Sequence, residues 1–187
     1  MTPAKLLAPT YIEMLTALSN WLDKARTQMQ DDADDLLLAR LAPDMFPLST
    51  QIRFACVQAY EGMFRLKDEP FPQTITALLE EGRNADERPG TIMEAQTRIE
   101  ETLSQVRNMS ETNSEGDGSR PVVHALPNGM TFDFTLDQYA RDWAIGQFYF
   151  HVMIAYAIMR HHGVQLGKAD YVAHALAHLR PETMQQT

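Results

Sequence analysis

Apolar residues that return every three or four positions run through most of the chain, and they leave little choice of fold class. Tyr11, Met14, Leu15, Leu18, Trp21, Leu22, Ala25 and Met29 keep that spacing, which sets them on one face of a helix with a core to cover. Thr10 and Glu13 stand three apart as a capping box, so this helix is predicted to begin at Thr10 and to end at the acidic run Asp31, Asp32, Asp34 and Asp35. Leu36 to Leu41 suggests a further helical turn or two before Pro43. A second stripe, Leu48, Ile52, Ala55, Ala59, Met63 and Leu66, starts near Pro47, and proline suits a first helical turn. Thr74 to Glu81 reads as a short helix and Gly82 to Gly90 as a loop. Thr91 and Glu94 repeat the capping box and open a third long helix that carries Ile92, Gln96, Ile99, Leu103 and Val106 and fades near Met109. Ser110 to Arg120 is rich in Ser, Glu and Gly and is expected to be a mobile loop.

The period then changes. Val122 to Leu126 and Met130 to Thr135 flank Pro127-Asn128-Gly129, and Asn-Gly between such runs predicts a two-stranded hairpin. A two-stranded ribbon is marginal alone, so it must lean on the helices. From Thr135 to His162 the pattern is helical and strongly apolar, with a break expected at Gly146 and with Phe148, Val152, Ala155, Tyr156 and Met159 buried. This apolar helix is expected to be the central one, with Gly163 ending it. Lys168 to Leu179 reads as a last short helix stopped by Pro181, with Tyr171, Val172, Ala175, Leu176 and Leu179 inward.

These 187 residues suit one domain spanning 1–187. Lys and Arg number 16 against 25 Asp and Glu, a net charge of -9 that repels polyanions and argues against a nucleic-acid partner. The Asp31 to Asp35 run lacks calcium-loop spacing and reads as a solvated loop. The longest apolar stretch, Phe148 to Met159, is interrupted by His151 and is too short to span a bilayer, so no membrane partner is expected. No basic region precedes an apolar run at the start, and Cys56 is the single cysteine, so a cytoplasmic location is expected.

No phosphate-binding glycine loop, Gly-x-Ser-x-Gly elbow or His-Glu-x-x-His is present, which leaves the histidines. His174 and His178 are four apart and would share one face of an α-helix, as surface residues or as a metal pair. His161 and His162 fall where a helix dipole favours cations, and His124 has no evident partner. His151 lies inside the most apolar helix, either as a core histidine bonded to a neighbour or as a ligand or acid–base group in an internal pocket. Tyr156 and Arg160 are rotated from it by about 140° and about 180°, so its partners must come mostly from other helices. Arg53 and Gln58 on the second helix can supply them, and Cys56 could too, although it reads better as a small buried residue. The pocket candidates are thus His151, Arg53, Gln58 and Tyr156.

Two blocks carry a family resemblance. Phe148-Tyr149-Phe150-His151-Val152, Ala155-Tyr156-Ala157-Ile158, Arg160-His161, Gly163-Val164 and Gly167-Lys168-x-Asp170 form one. Leu41-Ala42-Pro43-Asp44-Met45-Phe46-Pro47-Leu48, Gln51-Ile52-Arg53-Phe54-Ala55 and Gln58-Ala59 form the other. Together they resemble an uncharacterised branch of the DinB/YfiT-like superfamily. The resemblance implies a mainly α fold, a DinB-like four-helix bundle, to which this sequence adds a small β-hairpin and a short C-terminal helix. It also implies that relatives hold a divalent metal through three histidines, one on the second helix, and that some are thiol-dependent transferases. This chain has no histidine between Leu48 and Leu66, and Ala155 stands one turn after His151, so an incomplete triad is expected. Gly146-Gln147, Met153-Ile154 and His162 depart from the branch, whose pattern has Pro-Asn, two hydroxyl residues and Asn there. Two functions follow from the resemblance: a small-molecule-binding or homodimeric interaction protein without the triad, or a divalent-metal-dependent, thiol-using transferase or hydrolase built on His151 with His161, Asp170 or Asp44.

Overall fold

The structure is a computed structural model that describes residues 2–111 and 117–180. Its frame is four long helices, α1 (Pro3–Met29), α2 (Leu48–Lys67), α4 (Ile92–Glu111) and a final rod that follows a hairpin of β1 (Pro121–Ala125) and β2 (Thr131–Thr135), with the shorter α3 (Gln73–Arg83) laid against α2. That rod comprises α5 (Leu136–Gln138), a π-helical turn (Tyr139–Ala144) and α6 (Ile145–His161). A single turn, α7 (Lys168–Tyr171), and a 3₁₀ turn (Ala173–His178) complete the described chain.

The apolar stripes face the core as their spacing predicts: Tyr11, Leu18, Trp21, Ile52, Ala59, Ile99, Val106, Phe148 and Val152 are all buried. Several boundaries differ. α1 begins seven residues before Thr10, capped by Thr2 and opened by Pro3, because Leu7 and Ala8 also bury against the bundle. It runs through Pro9, and the Thr10 hydroxyl donates to the Leu6 carbonyl 2.7 Å away instead of capping an end. The acidic run lies in a 3₁₀ segment, Gln30–Leu38, and is not wholly a solvated loop: Asp34 accepts the Ile92 backbone N–H at 2.8 Å and caps α4. α4 also has the capping box expected of Thr91 and Glu94. Residues 112–116, within the expected mobile loop, and Pro181 lie outside the described residues.

The central helix is α2 rather than α6. None of its residues is exposed, since it is flanked by α1, α3, α4 and α6, whereas α6 leaves Phe150 and Met153 at the surface. No break occurs at Gly146. The irregularity is the π turn just before it, after which the rod continues unbroken to His161. There the Gly163 N–H donates to the Arg160 carbonyl and the Val164 N–H to that of Met159, a Schellman ending with Gly163 at φ +92.

β1 and β2 pair antiparallel with Val122 opposite Phe134 and His124 opposite Phe132, and Gly129 takes φ +89 in the connecting turn. The ribbon leans on the π turn: the His124 ring lies 4.6 Å from Trp143 and 5.6 Å from Tyr139 between centroids. Arg120 ties its base to α2 through the Arg65 carbonyl and Asp68. The C-terminal segment is held by Trp21, whose indole N–H donates to the Asp170 carbonyl at 3.2 Å, and by Tyr171 stacked on Trp21. Among the described residues Ala175, Leu176 and Leu179 of this segment are exposed rather than inward.

Candidate functional site

α6 turns His151 toward the first turn of α2, where its Nδ1 lies 2.9 Å from Gln51 Oε1. The Gln51 amide cannot be reversed without loss, because its Nε2 donates to the Phe46 carbonyl at 3.2 Å. The amide oxygen therefore faces the ring, Nδ1 carries the proton, and Nε2 keeps its lone pair. Nε2 has no hydrogen-bond partner among the described residues, and it is not sealed from solvent. Burial lowers the His151 pKa to about 4, so the ring is neutral at physiological pH. Two phenylalanines flank the ring and a third stands against one of them. Phe54 and Phe150 meet the ring edge-on at 5.4 and 5.3 Å, and Phe46 meets Phe54 at 5.6 Å.

The other sequence candidates lie elsewhere. Gln58 is half-buried two turns further along α2. Tyr156 belongs to an aromatic cluster with Trp21 and Tyr171 against α1. Arg53 sits about 200° round α2 from Gln51, buried at the base of a cleft of about 600 Å³ between α2, α3 and α4. Cys56 is sealed beside Thr102 of α4, where burial raises its pKa to about 12, so it is no partner of His151. Gln51 and Phe46 were missed because a glutamine and a loop carbonyl carry no periodic signal, and helix register decides which residue of α2 meets His151.

The donor set does not fit the three-histidine metal site that the resemblance implies. Gln51 is the polar side chain that meets His151, Ala155 stands one turn on, and no group of three or more His, Cys, Asp or Glu is gathered for a metal among the described residues. His174 and His178 lie in a 3₁₀ turn, where four residues turn the chain by about 120° and part the two rings. His174 instead lies 3.8 Å from Glu13.

Four long helices, a two-stranded hairpin before the last and a short C-terminal helix make this a DinB-like bundle. The chain belongs to the family described as a domain of unknown function, DUF1993, whose sequence model matches residues 5–172. It is similar to a solved structure, a DinB family member protein from Shewanella denitrificans, with 32% identity over 90% of each chain and a TM-score of 0.68. A search of curated proteins gives no significant match. No helix of the described residues is long and apolar enough to cross a membrane.

Proposed function

We propose that this bundle works without a three-histidine metal triad and binds a small molecule at His151, whose neutral imidazole accepts a hydrogen bond or a proton. The observation that carries the reading is the relay from the Phe46 carbonyl through Gln51 to His151 Nδ1. Such a relay fixes one tautomer and one ring orientation, which a bare core histidine does not need. Phe46, Phe54 and Phe150 supply apolar walls of the kind that small-ligand sites use around a few polar groups. A metal-dependent transferase built on His151 would need further donors that the surrounding rings do not offer.

Two measurements test it. Long-range ¹H–¹⁵N NMR should find His151 Nε2 unprotonated at pH 7, with its titration midpoint near pH 4, and Gln51→Leu should mix the tautomers. Elemental analysis of protein purified without chelator should find no metal whose retention depends on His151. One equivalent of zinc, nickel, iron or manganese that disappears in His151→Ala would overturn the reading in favour of the metalloenzyme. The exposure of Phe46 and Phe150, 51% and 57%, favours a second reading in which this face closes against another copy of the chain. Light scattering at micromolar concentration separates a dimer from a monomer.

A further inference from the structure

The hairpin is fastened to the rest of the molecule in two different ways. At its base the Leu136 N–H donates to the Arg120 carbonyl at 2.8 Å and the Asp137 N–H to the Gly118 carbonyl at 2.9 Å, while Arg120 pairs with Asp68 at 2.8 Å. From Val122 to Phe134 no hydrogen bond or ion pair among the described residues joins either strand to a helix. What holds this part is one face of side chains, Val122, His124, Phe132 and Phe134, laid on the π turn. Phe132 and Phe134 lie 5.4 and 6.3 Å from Trp143 between ring centroids, and His124, at 4.6 Å, is nearer than either. An element held by one face of packing can open while the helices stay folded.

His124 is the polar member of that face. It is 6% exposed, and both its ring nitrogens are sealed without a hydrogen-bond partner. A neutral imidazole can sit there as an aromatic plate, whereas an imidazolium would be a buried charge with nothing to accept its two N–H groups. The groups around it offer no counter-charge. On α2 the nearest charge is Arg65, a cation whose own Nε is sealed and unpartnered. Glu61, one turn before Arg65, keeps its proton up to about pH 7 because it is itself buried. The π turn contributes Trp143 and Tyr139, whose phenol burial holds protonated, while Arg141 and Asp142 of that turn are exposed and pair with each other at 2.7 Å. β2 sets Phe132 opposite the ring, and Asp133 lies on the outer face opposite Val123. Asp137 of α5 is exposed at the base of the ribbon, beside Gly118. The aromatic faces return only part of what burying an unpaired cation costs.

We propose that the hairpin is an acid-released latch: it docks on the π turn while His124 is neutral and swings off as the pH falls, because only the open form can take up a proton on that ring. Opening bares Tyr139 and Trp143, the aromatic floor on which the ribbon lies. Burial and the Arg65 charge together hold the docked ring below the ordinary 6.5, whereas the open ring titrates near it. The docked form is therefore fully favoured above about pH 6.5 and loses ground as the pH falls from there toward the docked ring's lower pKa. The latch is separate from His151 and does not depend on the function proposed there.

Amide hydrogen exchange, followed residue by residue in ¹H–¹⁵N spectra from about pH 5 to about pH 8 and corrected for intrinsic rates, measures the opening. Amides of β1 and β2 should exchange through an opening that leaves α2 protected. Their opening constant should rise by up to about tenfold per pH unit below 6.5, one proton taken up per opening. His124→Phe keeps an aromatic plate that cannot titrate, and the acid rise should vanish in it. Should that variant fail to fold, the wild-type ring decides: the His124 carbon-bound proton signals should titrate only in step with the loss of docked hairpin signals. Three results would overturn the proposal: a wild-type opening constant that is flat below pH 6.5, the same rise in His124→Phe, or hairpin amides that exchange only when α2 does. A His124 ring that titrates while the hairpin stays docked would overturn it as well.

Discussion

Gly62 looks like a flaw in the middle of α2, since glycine in a helix interior costs about 1 kcal/mol relative to alanine. The structure supplies its reason. A Cβ there would lie 2.2 Å from the Tyr11 hydroxyl and 3.0 Å from two ring carbons, and Tyr11 is fully buried with its ring 4.7 Å from Phe148. Tyr11 has nowhere to retreat, and overpacking of this kind costs about 1–3 kcal/mol, so it outweighs the helix-propensity gain. Gly62→Ala is therefore expected to lower the urea midpoint. Adding Tyr11→Phe should recover much of the loss, because the hydroxyl it removes is both the closest clash and a buried group without a partner. None of this is visible in the sequence, where Gly62 and Tyr11 are 51 positions apart. His151 was legible as the polar residue that interrupts the apolar stretch Phe148 to Met159. Gln51 was not, because the choice among Gln51, Arg53 and Gln58 depends on how α2 is rotated against α6.

At the level of elements, the sequence was most informative where an amphipathic period ran long. The stripes of α1, α2 and α4 and the Asn128-Gly129 hairpin lie close to where their residues predict them, because each signal repeats over several turns or sits in a two-residue turn with few alternatives. Boundaries were less legible. Thr10 reads as the cap of the first helix, yet α1 begins at Pro3 and runs through Pro9 on the burial of Leu7 and Ala8. Gly146 reads as a break, yet the irregularity is the π turn at Tyr139–Ala144, where Tyr139, Ala140 and Ala144 bury and the hairpin docks. At Gly146 itself an added Cβ meets nothing within 4 Å. Gly146→Ala should therefore stabilise the protein by about 0.5–1 kcal/mol, seen as a rise of roughly 1–4 °C in melting temperature. A fall instead would mean that the glycine serves the π turn and not only the helix after it.

Across the whole molecule, buried titratable groups on two sides of α2 oppose one another. Burial lowers the His151 pKa from 6.5 to about 4 and also lowers that of His124, which packs on Tyr139 and Trp143 with neither ring nitrogen partnered. Burial raises the Glu61 pKa from 4.5 to about 7, partly offset by Arg65 one turn along α2. Between about pH 4 and 6.5 the unfolded chain takes up a proton at His151 that the folded chain refuses, so stability rises with pH at up to about 1.4 kcal/mol per unit. Between about pH 4.5 and 7 the folded chain keeps a proton on Glu61 that the unfolded chain releases, so this group contributes a slope of opposite sign. The two nearly cancel over their common window, and His124 adds to the rising side. Removing one group exposes the other. In Glu61→Gln the falling contribution is gone, so the variant should gain stability over the wild type from about pH 4.5 upward, with the gain levelling above about pH 7. Urea denaturation at pH 5, 6, 7 and 8 reads this directly. A stability difference that stayed constant across those four points would show that Glu61 titrates in the fold as it does in the unfolded chain.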